Sequence, residues 1–211
     1  MEPTPQKDRE RLPNFIIPAE FTFNGGNGNV RPLIFYPDKR LTMMAERVTA
    51  FDQGLADLAA DLAMTMYMTG GVGIAAPQVG VLQRLFVCDV YANADLDLPM
   101  VRRRNGLIAV VNPQVVSTGG RPFTLTEGCL SFPGVHEPIT RPFSVVVTAQ
   151  NLRGEQAMFE SHQWFGRIVM HEIEHLDGGL FVDHLGPTAR REVEKKVTKF
   201  RKAVMEGPKK K

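Results

Sequence analysis

Residues 164–178 read WFGRIVMHEIEHLDG, and the interpretation of the whole chain turns on them. A helix is expected over about Trp164–Leu176, stopped by Gly178 and Gly179. His171 and His175 then stand at i and i+4, one turn apart on the same face and about 6 Å along the axis. Both imidazoles can reach a single metal ion, with metal–nitrogen distances near ~2.1 Å. Glu172, next to the first His, can lie beside a water bound to that metal without ligating the metal itself. A carboxylate there can take the water's proton and later deliver it to a leaving amine. The apolar residues before the motif, Ile168, Val169 and Met170, turn the His pair toward a packed interior.

Two His do not complete a catalytic site, which as a rule has three protein ligands and a position left for water. Downstream, the extended H-E-x-x-H-x-x-G-x-x-H pattern finds Gly178 but then meets Phe181, which cannot bind a metal. A thermolysin-like site would draw a carboxylate from a later helix, with Glu192 and Glu194 as formal candidates; Asp183 and His184 are also near in sequence. Upstream, Glu127-Gly128-Cys129-Leu130-Ser131 offers a thiolate in a tight segment after an expected strand, where Gly128 gives the backbone freedom. A free cysteine is most often a small buried apolar residue. Cys88, inside the apolar run Leu85–Val90, suits that description better than Cys129 does. From the residues alone the third ligand stays open.

Around this helix the pattern is α+β: mostly antiparallel β-sheets packed around a central HExxH helix, with an N-terminal and a C-terminal helix. Phe51, Leu55, Leu58 and Leu62 share one helical face, and Gly70 and Gly71 end that helix near Met68. Leu85–Val90, Ile108–Val116 and Ser144–Thr148 are Val-rich runs bounded by Gly, Pro and Asn, as strands are. Arg153-Gly154 forms a hairpin turn into Gln156–Glu160. Val193, Val197, Phe200 and Val204 repeat the helical spacing over about Thr188–Met205. Residues 1–30, rich in Pro, Gly and Asn, read as an irregular extension, 31–187 as the catalytic domain, and 188–211 as a basic helix and tail.

At 211 residues, 43% hydrophobic and 23% charged, one globular domain is the default. A net charge of +2 is too small to call for a nucleic-acid or membrane partner. The charge is uneven, however: residues 189–211 carry about +7 and the remainder about −5. Such an end is ordinarily a solvated face, or else a contact with an acidic surface such as RNA. No apolar run approaches 18 residues, so no membrane span is expected. Residues 1–11 have the character of neither a secretory signal nor a transit peptide. Two cysteines make no disulfide framework, and a cytoplasmic location is expected.

Three segments together resemble the peptide deformylases: Gly71-Val72-Gly73-Ile74-Ala75-Ala76-Pro77-Gln78, then Glu127-Gly128-Cys129-Leu130-Ser131, then His171-Glu172-Ile173-Glu174-His175-Leu176-Asp177-Gly178. They stand in that family's order and spacing, and the likeness extends from about Pro32 to Leu185. The resemblance implies removal of the formyl group from N-formylmethionine of nascent polypeptides. It implies Cys129, His171 and His175 as ligands of one divalent metal, Fe²⁺ foremost, replaceable by Ni²⁺, Co²⁺ or Zn²⁺. It implies Glu172 as general base, with the Gln78 amide and the Leu130 N–H as donors to the tetrahedral oxyanion. Gly71, Val72 and Gly73 would pair with the substrate backbone as an added strand. Val72, Trp164 and Ile168 are the candidates for the methionine pocket, and His136 meets the peptide beyond methionine. Glu127 and Arg141 would form an ion pair bracing the Cys129 segment, and Glu174 would act from behind the ligands.

The chain departs from the family's commonest pattern at Met170, where Gln is usual, and at Glu174, where Asp is usual; His136 replaces a more basic residue. None of these removes a catalytic group. Two rival readings follow from the same residues. One is a zinc endopeptidase with a downstream Glu ligand, and the other is a protein that binds formylated peptides without cleaving them. The basic C-terminal helix suggests a contact with the ribosome, where such substrates emerge.

Overall fold

Helix α1 covers Gln53–Met68, and Asp52 caps it by accepting a hydrogen bond from the Leu55 N–H. Its start lies two residues after Phe51, the residue expected to open it. Leu55, Leu58, Leu62 and Met66 are buried against a sheet. The same helix also buries Asp61 and Thr65, two polar residues that a hydrophobic stripe does not foretell. They are satisfied by the segment where the extension enters the domain: the Asn29 N–H and Arg31 Nε donate to Asp61, and the Arg31 N–H donates to Thr65. This computed structural model describes residues 16–92 and 106–206. Residues 1–15 of the expected irregular extension and 207–211 of the expected basic tail lie outside them.

Five antiparallel strands form the main sheet in the order β1 (Gly73–Ala75), β2 (Leu85–Asp89), β3 (Leu107–Gly119), β6 (Ser144–Gln150), β7 (Gln156–His162). Strands β4 (Phe123–Gly128) and β5 (His136–Arg141) make a separate hairpin. β2 is buried at all five positions because both of its faces are covered. Leu85 and Val87 point into the cluster under α1, while Phe86 and Cys88 point into the cluster under the second helix. This sandwiching explains why β2 reads as an unbroken apolar run rather than an alternating one. At the far edge β7 alternates, with Phe159 and Ser161 inside and Met158 and Glu160 outside. The turn into β7 is at Arg153-Gly154 as expected, with Gly154 at φ 82°.

Helix α2 covers Gln163–Leu176 and starts directly where β7 ends. Ile168, Val169, Ile173 and Leu176 bury against β2, β3 and β6. Gly178 follows at φ 78°, and a side chain there would meet the Thr42 carbonyl. Helix α3 covers Pro187–Glu206 and lays Val193 and Val197 on a third cluster with Phe132, Val135, Ile139 and Phe181. Phe200, on the same periodic face, is 38% exposed and leans on Phe35.

The described part of the extension is irregular apart from a single 3-10 turn at Ala19–Phe21. It is nevertheless tied down. Phe21 is buried edge-on against Phe159, Thr22 bridges to Ile108, and the Phe23 N–H donates to the Leu107 carbonyl. Among the described residues no helix is long and apolar enough to cross a membrane.

Candidate metal centre

Two elements meet at the site. α2 supplies His171 and His175 from consecutive turns, and the end of β4 runs through Gly128 into Cys129. The ligating atoms of the three side chains all lie within 4.8 Å of one another. Among the described residues this is the one such group. Cys129 Sγ stands 3.3 Å from His175 Nε2. On His171, Nδ1 lies 3.0 Å from Glu127 Oε2. An ionised carboxylate can only accept, so Nδ1 carries the hydrogen and Nε2 is left to face Cys129.

The two imidazoles are shifted in opposite directions. Burial by itself would lower the His171 pKa, but hydrogen bonds to Cys129 and Glu127 carry it up to about 10. His175 is pushed well below the ordinary histidine range, first by burial and then by the neighbouring positive charges of His171 and Arg141. Bonds of about 2.0–2.3 Å in a tetrahedral set put donor atoms roughly 3.3–3.7 Å apart; the Cys129–His175 pair, at 3.3 Å, is already at that spacing, and the whole trio lies within 4.8 Å. One thiol and two imidazoles are a donor set suited to Zn²⁺, Fe²⁺, Co²⁺ or Ni²⁺.

Glu172 is 4% exposed, and burial lifts its carboxyl to about 7. Its Oε2 is buried without a hydrogen-bond partner. Its Oε1 lies against the backbone of Gly73, so closely that any β-carbon at residue 73 would collide with it. Gly73 is therefore glycine because the carboxylate occupies the space of a side chain. Gln78 sits in a 3-10 turn, Ala76–Val79, immediately after β1. Its Oε1 accepts from the Ala75 N–H, which turns the amide NH₂ toward Ser131 Oγ at 3.2 Å and Cys129 Sγ at 3.5 Å.

A cleft of about 570 Å³ opens over these groups. Gly71, Val72, Gly73, Gln78, Leu130, His136, Trp164, Ile168 and Glu172 all line it, together with Cys129 and His171. Leu130 packs so closely on Gly71 that a β-carbon there would stand 2.8 Å from Leu130 Cδ1. β1 is the outermost strand of the main sheet. The downstream alternatives are elsewhere: Glu192 is exposed and paired with Lys195, Asp183 with Arg190, and His184 with Glu174.

Behind the ligands is a buried ionic network. Glu127 receives Arg141 through two bonds of 2.7 and 2.9 Å, and burial that would raise its pKa is overcome by His171 and Arg141, which hold it well below the usual range. Arg141 also bonds Glu174 at 3.0 Å, and the longer Glu at this position reaches on to His184 at 2.6 Å. Sequence reasoning missed two members of the site. Ser131 takes the Gln78 amide hydrogen, and Arg167 donates to Glu127 from the helix turn before His171. Arg167 had a visible signal: it lies four residues before His171 and so shares its buried face.

A family profile described as "Polypeptide deformylase" matches residues 30–191. The chain is 35% identical over 171 residues to a peptide deformylase of Wolbachia pipientis subsp. Culex pipiens, covering 81% of this chain and 96% of that protein. It is 36% identical over 174 residues to one from Acidobacterium capsulatum, covering 82% and 97%. The crystal structure of a peptide deformylase from Legionella pneumophila superposes with a TM-score of 0.75 at 36% identity, covering 85% of this chain and 99% of that one. The Ehrlichia chaffeensis enzyme in complex with actinonin gives 0.75 at 32% identity, covering 83% and 99%.

Proposed function

The chain belongs to the polypeptide deformylase family, and from that premise we propose how its residues divide the work of hydrolysing a formamide. The enzyme removes the formyl group from N-formylmethionine of nascent polypeptides and releases formate. Cys129, His171 and His175 hold one divalent metal. When bound, that ion supplies Lewis acidity, making a water nucleophilic near neutral pH and polarising the formyl oxygen. Its identity is proposed as Fe²⁺, with Zn²⁺, Ni²⁺ or Co²⁺ able to replace it.

Glu172 takes the proton of the attacking water on its carboxylate and passes it to the departing methionine nitrogen. A carboxyl lifted to about 7 suits both halves of that task. The Gln78 Nε2–H and the Leu130 N–H donate to the oxygen that becomes negative in the tetrahedral state. Gly71 and Val72 lead into the edge strand β1, which begins at Gly73, and these three residues bond the substrate backbone as an added strand. Val72, Trp164 and Ile168 receive the methionine side chain, and His136 meets the residue beyond it. Glu127 fixes the tautomer of His171 through Nδ1, Arg141 holds Glu127, and Glu174 holds Arg141.

One observation carries this reading: three metal-binding atoms within 4.8 Å, with the unpartnered Glu172 Oε2 and the Gln78 amide beside them in one cleft. We further place the enzyme in the cytoplasm, working on chains as they leave the ribosome, with the basic face of α3 as the contact. The test of the catalytic roles is formate release from a formyl-Met-Ala-Ser peptide, with protein prepared anaerobically and metal assayed on the same sample. Glu172→Ala is expected to abolish release while the metal stays bound. A metal-loaded, folded wild-type protein that releases no formate would instead be a binder of formylated peptides.

A further inference from the structure

Arg167 is 1% exposed, and a guanidinium does not shed its charge when buried. Its burial therefore has to be compensated by partners. Nη1 donates to Glu127 Oε1 at 2.5 Å and to the Ile139 carbonyl at 2.9 Å, and Nη2 donates to the Phe123 carbonyl at 2.8 Å. The guanidinium lies 4.7 Å over the Phe123 ring. These partners share a location. Phe123 and Glu127 lie on β4 and Ile139 on β5, whereas Arg167 lies on α2. α2 brings two of the proposed metal ligands and β4 leads directly to the third.

Charge balance alone does not explain the arrangement, because Glu127 already has Arg141 bonded through two nitrogens. What Arg167 adds is a fixed span between the hairpin and the helix at the turn before His171. Arg141 grips the helix on the other side of His171, at Glu174. The two arginines thus bracket the ligand-bearing turn, and both close on the carboxylate that orients His171.

We propose that Arg167 is a positioning residue for the metal centre, locking α2 to the β4–β5 hairpin at the spacing in which Cys129, His171 and His175 share one ion. This rests on the ligand assignment proposed above. A planar guanidinium can hold a carboxylate and two carbonyls at once; a lysine ammonium, a compact point charge, cannot keep that geometry.

The test is a titration of metal-stripped protein with Co²⁺ against a competing chelator, read also by the cobalt absorption spectrum. Circular dichroism of the metal-free protein monitors the fold. Arg167→Lys is expected to keep the fold, bind Co²⁺ about 10–100-fold more weakly and displace the thiolate-to-cobalt and d–d bands. Arg167→Met is expected to do the same more severely. Folded variants that bind Co²⁺ within about twofold of wild type, with the same spectrum, overturn the inference. Failure of both variants to fold also overturns it, by assigning Arg167 to the fold at large. Cys129→Ala is measured alongside: if it binds Co²⁺ as wild type does, the ligand assignment itself is wrong and the inference falls with it.

Discussion

At the scale of single residues, the site is built from side chains whose neighbours leave them no alternative. Gly73 is the sharpest case, since the Glu172 carboxylate fills the volume a side chain would need. In Gly73→Ala the carboxylate has to move or the strand has to retreat. A displacement near 1 Å at the reacting centre costs on the order of 100-fold in rate. We expect kcat to fall by about that factor while metal content stays at the wild-type level, because the atoms nearest to a β-carbon at residue 73 all belong to Glu172 and none to the three proposed ligands. Unchanged kcat in a folded, metal-loaded Gly73→Ala protein would remove Glu172 from the role of general base. That His171, His175 and Glu172 would be brought to one buried place was legible in the sequence because a helix converts a spacing of four into a shared face. Arg167 obeyed the same rule one turn earlier and was passed over, because an arginine on an apolar face is normally read as reaching outward.

At the scale of elements, legibility followed the number of apolar residues an element buries. Each of the three helices and the strands β2, β3, β6 and β7 lies within a few residues of its expected bounds, because each has a face or a run committed to the core. β1 has three residues, too few for any period to register. β4 and β5 read as polar and contain Pro138, since their hairpin is largely exposed and commits only Ile139 of its strands to a hydrophobic cluster, with buried ion pairs at Glu127 and Arg141 holding it as well. β2 hides a further feature, the buried carboxylate of Asp89, which accepts from Tyr67 Oη and the Tyr91 N–H. Burial raises its pKa above the ordinary carboxylate value, with those two hydrogen bonds working in the opposite direction. A folded-state pKa raised above the unfolded value of about 4 means the native state binds the proton more tightly. The corresponding stability is fully present below about pH 4 and is lost as pH rises through the raised value. Asp89→Asn removes the charge and keeps one of the two acceptor oxygens, so its melting temperature relative to wild type should be higher near pH 8 than near pH 3.5. Thermal melts of metal-free protein at the two pH values decide this; an equal shift at both would assign the effect to packing.

At the scale of the molecule, the main sheet is clamped between α1 and α2, the ligand-bearing hairpin is riveted to α2 by ion pairs, and α3 covers the third core cluster. This leaves α3 with two unlike faces. Val193 and Val197 are buried, and Lys196 reaches Glu137 on β5, so the helix is docked to the catalytic domain along one side. Arg191, Lys195, Lys199 and Lys202 are exposed on the helix. None of the four belongs to the buried cluster under α3, and Lys195 is paired with Glu192 on the same helix; this exposed basic side is the one an acidic partner would meet. RNA is the acidic surface closest to an enzyme that acts on nascent chains, and contacts to phosphate weaken steeply with salt as counterions are retained. Reversing three of these charges together, Arg191→Glu, Lys195→Glu and Lys199→Glu, leaves Val193 and Val197 in place. The expected result is weaker binding to ribosomes in a sedimentation assay, with a shallower dependence on salt, while formate release from a free formylated tripeptide is unchanged. Equal binding by the reversed protein at every salt concentration would mean that α3 serves the fold alone and that substrates are met in solution.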